Sequence, residues 1–176
     1  RRVGSSNPVQ GIGVSNVPDR PPEMLDLADW DGDGDLDLIV GQYDGTLSYF
    51  ERLENGILQK RLGSSNPFQG IEVRHDAFPA IADWDGDGDL DLIVGESDGT
   101  LSYFERLENG ILQKNGIRKE IDVGNHASPT IADWDGDGDL DLIVRTHWVD
   151  YSLCGGFCTD YFERQENGIL RRRVGS

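Results

Sequence analysis

The sequence predicts an all-β fold of tandem antiparallel repeats, and three observations carry that prediction. The string DWDGDGDLDLIV occurs at Asp29–Val40, Asp83–Val94 and Asp133–Val144, at spacings of 54 and 50 residues. A second string, LSYFERLENGILQK, runs over Leu47–Lys60 and Leu101–Lys114, with the variant YFERQENGIL at Tyr161–Leu170. Gly is abundant, 23 of 176 residues, and hydrophobic residues make up 36%, a balance that suits short strands and tight turns better than long helices. Repetition at this period marks an architecture in which each unit buries its apolar face against a neighbour.

Within one unit the elements follow in order. Leu36-Asp37-Leu38-Ile39-Val40 is short, apolar and β-branched, and reads as strand one. Asp44-Gly45 supplies a hairpin turn, because both residue types tolerate positive φ. Thr46–Arg52 then alternates Leu47, Tyr49 and Glu51 against Ser48, Phe50 and Arg52, as strand two. Asn55-Gly56 turns the chain again into strand three, Ile57–Lys60, and the same dipeptide recurs at Asn109-Gly110 and Asn167-Gly168. The polar loop Gly63-Ser64-Ser65-Asn66-Pro67 echoes Gly4-Ser5-Ser6-Asn7-Pro8 and cannot continue a ladder, since Pro lacks a donor. A last segment, Pro79–Ala82, re-enters the core before the next Asp-rich run.

Four short strands per unit match one four-stranded antiparallel blade of a β-propeller-like array. The whole chain, 1–176, reads as one array with units at about 7–62, 66–114 and 117–176. Three blades do not ordinarily close a ring, so the array is expected to be part of a larger ring or a polymer. The opening Arg1-Arg2-Val3-Gly4-Ser5 returns as Arg172-Arg173-Val174-Gly175-Ser176, which leads to the same expectation, a chance match being the alternative.

The third unit departs from the pattern. Residues 145–160 replace the tight Asp-Gly hairpin with an extended loop that holds both cysteines, Cys154 and Cys158. A hairpin loop brings such a pair within disulfide reach, and a disulfide is the expectation. Two free thiols or half a metal site are the alternatives, His147 being the nearby histidine.

Net charge bounds the function. The formal value is −17, from 33 acidic and 16 basic side chains, and fifteen of those acids lie in the three Asp-rich runs. Nucleic acid is excluded as a partner, because phosphate binding needs clustered Lys and Arg. No run approaches the roughly 18 apolar residues that span a bilayer, so no membrane span is expected.

The acids of Asp29-Trp30-Asp31-Gly32-Asp33-Gly34-Asp35-Leu36-Asp37 fall at every second position. Carboxylates so close repel one another unless a hard cation gathers their oxygens, at about 2.3 to 2.6 Å for calcium. Gly34, sixth in the loop, allows the sharp bend that such a wrap needs. An EF-hand places its oxygens at the same positions but needs a bidentate Glu at the twelfth. Here stand Val40, Val94 and Val144, in strand-like rather than helical flanks. Three calcium sites are therefore expected, in β surroundings.

The pattern D-x-D-x-D-G-x-x-D-L running into an apolar strand resembles the FG-GAP or VCBS repeat of integrin-α and lectin-like propellers, over most of the chain. The Phe-Gly and Gly-Ala-Pro signatures of the integrin form are absent, and Ala-Asp-Trp-Asp stands in their place, nearer the VCBS class. The resemblance implies side-chain ligands Asp29, Asp31, Asp33 and Asp37, with the Asp35 carbonyl at the seventh position. It carries over to Asp83, Asp85, Asp87, Asp89 and Asp91, and to Asp133, Asp135, Asp137, Asp139 and Asp141.

Trp30, Trp84 and Trp134, second in each loop, point away from an ion held by their neighbours and read as core, with sugar stacking as the alternative. Trp148, Tyr151 and Phe157 of the long loop are candidates for exposed contact, and His75, His126 and His147 share no ligand spacing. Every acid of the loops is used by metal, which leaves no catalytic pair, and an enzyme is not expected. The expected function is an extracellular or cell-surface structural or adhesive protein, rigidified by calcium and partnered by copies of itself. The Arg-rich termini could pair head to tail with the acidic loops in a fibre. The alternative is a carbohydrate-binding module whose partners are glycans.

Overall fold

A computed structural model describes residues 24–116, 121, 123–147, 156–165 and 168–173. Three four-stranded antiparallel sheets follow one another along the chain. The first holds β1 (Leu25–Ala28), β2 (Asp37–Gly41), β3 (Leu47–Arg52) and β4 (Leu58–Arg61). The second holds β5 (Phe78–Ala82), β6 (Asp91–Gly95), β7 (Leu101–Arg106) and β8 (Leu112–Gly116). The third holds β9 (Asn125–Ala132), β10 (Asp141–His147), β11 (Phe157–Arg164) and β12 (Leu170–Arg173). One 3-10 turn, Gly63–Ser65, interrupts the linker between the first two sheets. Among the described residues no helix is long and apolar enough to cross a membrane.

The strands expected from alternation and turn chemistry are present, and pairing fixes what sequence left open. The segment before each Asp-rich run belongs to the same sheet as the strand after it: Leu27 opposes Leu38, Ile81 opposes Leu92, and Ile131 opposes Leu142. Each acidic run is thus the loop between a blade's first and second strands. The sheets themselves span 25–61, 78–116 and 125–173.

Period-2 alternation gives each blade two apolar faces, and the array stacks unlike faces. Trp30, Ile39, Leu47 and Tyr49 of the first blade meet Leu92, Val94 and Phe104 of the second in one buried cluster. Trp84, Ile93, Leu101 and Tyr103 meet Leu142, Val144 and Phe162 of the third in another. Each such side chain contributes about 1.5–3 kcal/mol when fully buried. The first linker adds Phe68, whose ring centroid lies 4.7 Å from Trp30 and 5.9 Å from Tyr49. Along the row β1 lies against β5, and β5 against β9. Asp26 of β1 accepts from the Ile81 amide of β5 at 2.7 Å, which ties the two first strands together.

Backbone-to-backbone approach locks this stack. A Cβ on Gly41 would stand 1.8 Å from the Ala77 carbonyl oxygen, and one on Gly95 2.0 Å from that of Ala127. The turn after β2 also grips the next linker: the Ala77 amide donates to Gln42 O at 3.1 Å, and the Asp76 amide to Tyr43 O at 3.0 Å. The turn after β6 repeats this with Ala127 to Glu96 O and His126 to Ser97 O.

The third blade departs at this point. Arg145 stands where the other blades have Gly41 and Gly95, and β10 runs on, so that Arg145, Thr146 and His147 pair with Thr159, Cys158 and Phe157. Within the expected loop 145–160, residues 145–147 and 157–160 are therefore strand. Trp148, Tyr151 and Cys154 lie outside the described residues, and with Cys154 the expected disulfide; among the described residues no cysteine is free.

Candidate metal centre

Each acidic loop wraps on its own backbone amides. In the first, Asp29 Oδ2 accepts from the Gly34 amide at 3.0 Å, Asp31 Oδ1 from Asp33 at 3.2 Å and Asp33 Oδ1 from Asp35 at 2.8 Å. The second and third loops repeat the pattern from Asp83 and Asp133. Gly34 sits at φ +92°, and Gly88 and Gly138 at +97°, a conformation that side chains with a Cβ resist.

The wrap gathers Asp29, Asp31 and Asp33, and likewise Asp83, Asp85 and Asp87, and Asp133, Asp135 and Asp137. One oxygen from each member of a trio lies within 4.8 Å of the others. Two oxygens bound to one calcium stand at most about 5 Å apart, twice the bond length, so the trios fit that cation. Asp29 Oδ1 is buried with no hydrogen-bond partner, which costs free energy unless something positive meets it. Crowding shows in protonation as well. Partial desolvation, then repulsion from Asp37, Asp33 and Glu51, raises the pKa of Asp31. Asp135 is raised in the same way, by desolvation and then by Asp137, Asp141 and Glu163.

The ninth loop acid has a second set of partners. Asp37 is fully buried; its Oδ2 accepts from the Trp30 amide at 3.3 Å and the Tyr49 hydroxyl at 2.6 Å, and its Oδ1 from the Arg52 amide at 2.8 Å. Asp91 takes Trp84, Tyr103 and Arg106 in the same roles, and Asp141 takes Trp134, Tyr161 and Arg164. Burial raises the Asp91 pKa, and burial together with the facing carboxylate pushes the Tyr49 and Tyr103 hydroxyls well above the ordinary phenol range. A carboxylate oxygen with one donor keeps a lone pair, but Asp37, Asp91 and Asp141 stand outside the trios whose oxygens converge. The seventh acid turns elsewhere: Asp35 lies 3.6 Å from the Arg52 guanidinium.

Sequence reasoning missed the Tyr and Arg partners of Asp37, although a signal existed. Tyr49 and Tyr103 follow their aspartates by the same twelve residues, and Arg52 and Arg106 by the same fifteen. It also missed a staple between blades. Arg106 stacks over the Trp30 ring at 4.7 Å and donates to Trp30 O at 3.0 Å, and Arg164 stacks over Trp84 at 4.8 Å and donates to Trp84 O. The core reading holds for Trp30 and Trp84 but not for Trp134, which is 68% exposed. No described blade follows the third. His126 and His147, without ligand spacing in sequence, meet edge to face at 6.3 Å on the rim opposite the acidic loops.

Fold and loops together define a tandem β-repeat array whose blades each open on an acidic, glycine-bent loop. The comparisons agree, since residues 29–94 and 83–144 each match the FG-GAP-like repeat, and together these matches cover more than half of the chain. The chain belongs to the FG-GAP-like repeat family. Each match runs from one acidic loop into the second strand of the next blade, so each straddles two sheets. No curated protein matches the chain.

Proposed function

We propose that this chain is a calcium-stabilised structural or adhesive repeat protein of the extracellular space or cell surface, without enzymatic activity, that assembles with copies of itself. The observation that carries the reading is the triple recurrence of an Asp trio with convergent oxygens, one of them holding a buried, partnerless Oδ1. Asp29, Asp31 and Asp33 would hold the ion with the Asp35 carbonyl, and Asp37 would complete the set while bracing the loop through Trp30, Tyr49 and Arg52. Asp83 to Asp91 and Asp133 to Asp141 would do the same. Calcium neutralises the trio, and because the site exists only when the loop is folded, binding free energy becomes folding free energy. Weak extracellular modules bind at roughly 10⁻⁴–10⁻³ M, in keeping with that location. A Cys154–Cys158 disulfide would agree with it too.

The test is thermal unfolding by circular dichroism in millimolar calcium and after chelation. At ten to a hundred times Kd each filled site adds about 1.4–2.7 kcal/mol, so the midpoint should fall by many degrees on chelation. Calorimetric titration should count three ions, and two for Asp85→Asn/Asp87→Asn. An unchanged midpoint would end the reading. A glycan partner has one observation in its favour, Phe157, 62% exposed beneath the Arg145 guanidinium, and binding to immobilised glycans lost in Phe157→Ala would establish it.

A further inference from the structure

The two ends of the array are complementary, and the internal interfaces state what each end accepts. At both internal joints an Arg from the end of a third strand lies over the loop Trp of the preceding blade: Arg106 on Trp30, and Arg164 on Trp84. A first-strand Ile enters the same joint, Ile81 against the first blade and Ile131 against the second. At the trailing end the loop Trp has no following Arg among the described residues, and Trp134 is 68% exposed. At the leading end, among the described residues, the counterparts of that Arg and Ile face no preceding Trp. Among the described residues the Arg52 guanidinium pairs with Asp35 at 3.6 Å, Leu27 is 53% exposed, and Leu25 beside it is 58% exposed.

We propose that a second copy of this chain docks its leading edge, Leu25, Leu27 and Arg52, on the trailing face around Trp134 and Ile143, with Arg52 stacked on the Trp134 indole and bonded to its carbonyl. The inference rests on the self-assembling reading above and supplies its interface. The Arg52–Asp35 pair that must open is partly exposed and long, and so weak. The segment 2–14, RVGSSNPVQGIGV, repeats the sequence of the linker 61–73, RLGSSNPFQGIEV, with Val9 at the place of Phe68. Arg145 modifies the geometry. A Cβ where Gly41 and Gly95 stand meets the next linker's backbone, so the upper ends of the two blades are held apart and contact is confined to the acidic-loop half. Unlike surfaces joined in this way propagate, giving a ring or a filament instead of a closed two-fold dimer.

Sedimentation velocity of the full chain in calcium, at about 100 µM so that a micromolar contact is filled, tests this. The wild type should grow with concentration. Trp134→Ser and Arg52→Glu should each stay monomeric with unchanged circular dichroism, both side chains being outside the buried clusters. Mixed in equal amounts, the two variants should form dimers and stop, because one intact leading edge meets one intact trailing face. A monomeric wild type, or variants that assemble as it does, would overturn the proposal and leave the face to a different partner. Calcium-dependent stability with a monomeric wild type defeats this inference and the self-assembly it rests on but leaves the metal reading standing; variant-sensitive assembly with a calcium-independent midpoint defeats only the metal reading.

Discussion

The second and third blades share the string DWDGDGDLDLIV, yet Trp84 is 8% exposed and Trp134 is 68% exposed. The loop hydrogen bonds around the two are alike, and so are the three donors to Asp91 and Asp141. What differs is the neighbour. Trp84 lies under Arg164 and against Leu142 and Phe162 of the next blade, while no described blade follows Trp134. Burial here belongs to the joint between units, whereas loop geometry belongs to the unit.

Truncating the two tryptophans tests that division most directly. Trp84→Ala should cost roughly 3–5 kcal/mol, as a large core side chain does, and Trp134→Ala within about 0.5 kcal/mol in the unassembled chain, both by urea unfolding. Equal losses would mean that Trp134 is covered in solution. The ninth loop acids come next. Asp91→Ala strands three donors, two of them in the core, and should cost roughly 2–4 kcal/mol, while Asp141→Ala should cost less because its half-buried partner Tyr161 can rehydrate. A smaller effect follows at the glycines. Gly95→Ala forces a methyl to 2.0 Å from Ala127 O and should cost about 1–3 kcal/mol by parting the blades, whereas Arg145→Ala should cost about 0.5 kcal/mol, the value of its stacking on Phe157.

The smallest expected effect is on pH dependence. Asp31 and Asp135 have raised pKa values, so they take up protons more readily folded than unfolded, and that uptake stabilises the chelated chain as pH falls through the raised values. Calcium needs the same carboxylates deprotonated, so the loaded chain loses stability over the same range. The midpoint difference between loaded and calcium-free protein should therefore narrow from pH 7 to about 5, and a difference constant across that range would exclude these acids as ligands.

How much was legible can be seen at particular residues. Asp44-Gly45 and Asn55-Gly56 declared their hairpins because a two-residue turn is a local matter of φ, and Ile39 against Leu38 declared two faces because strand side chains alternate. The convergence of each Asp trio was legible because it arises within nine residues and is local too. The partners of Asp37 were not, since Tyr49 arrives through strand pairing twelve residues on. Nor was Arg106 on Trp30, 76 residues apart and on different blades.

By itself the sequence determined the unit: its strands, its turns, the acidic loop and the threefold recurrence, all set by interactions within a few residues or across one hairpin. Tertiary structure alone decided which segment opens each blade, which acids serve the fold as well as the loop, and which of three identical tryptophans is buried. Those outcomes depend on surfaces meeting across separate sheets, and the free energy of such a contact is defined only when both surfaces are present.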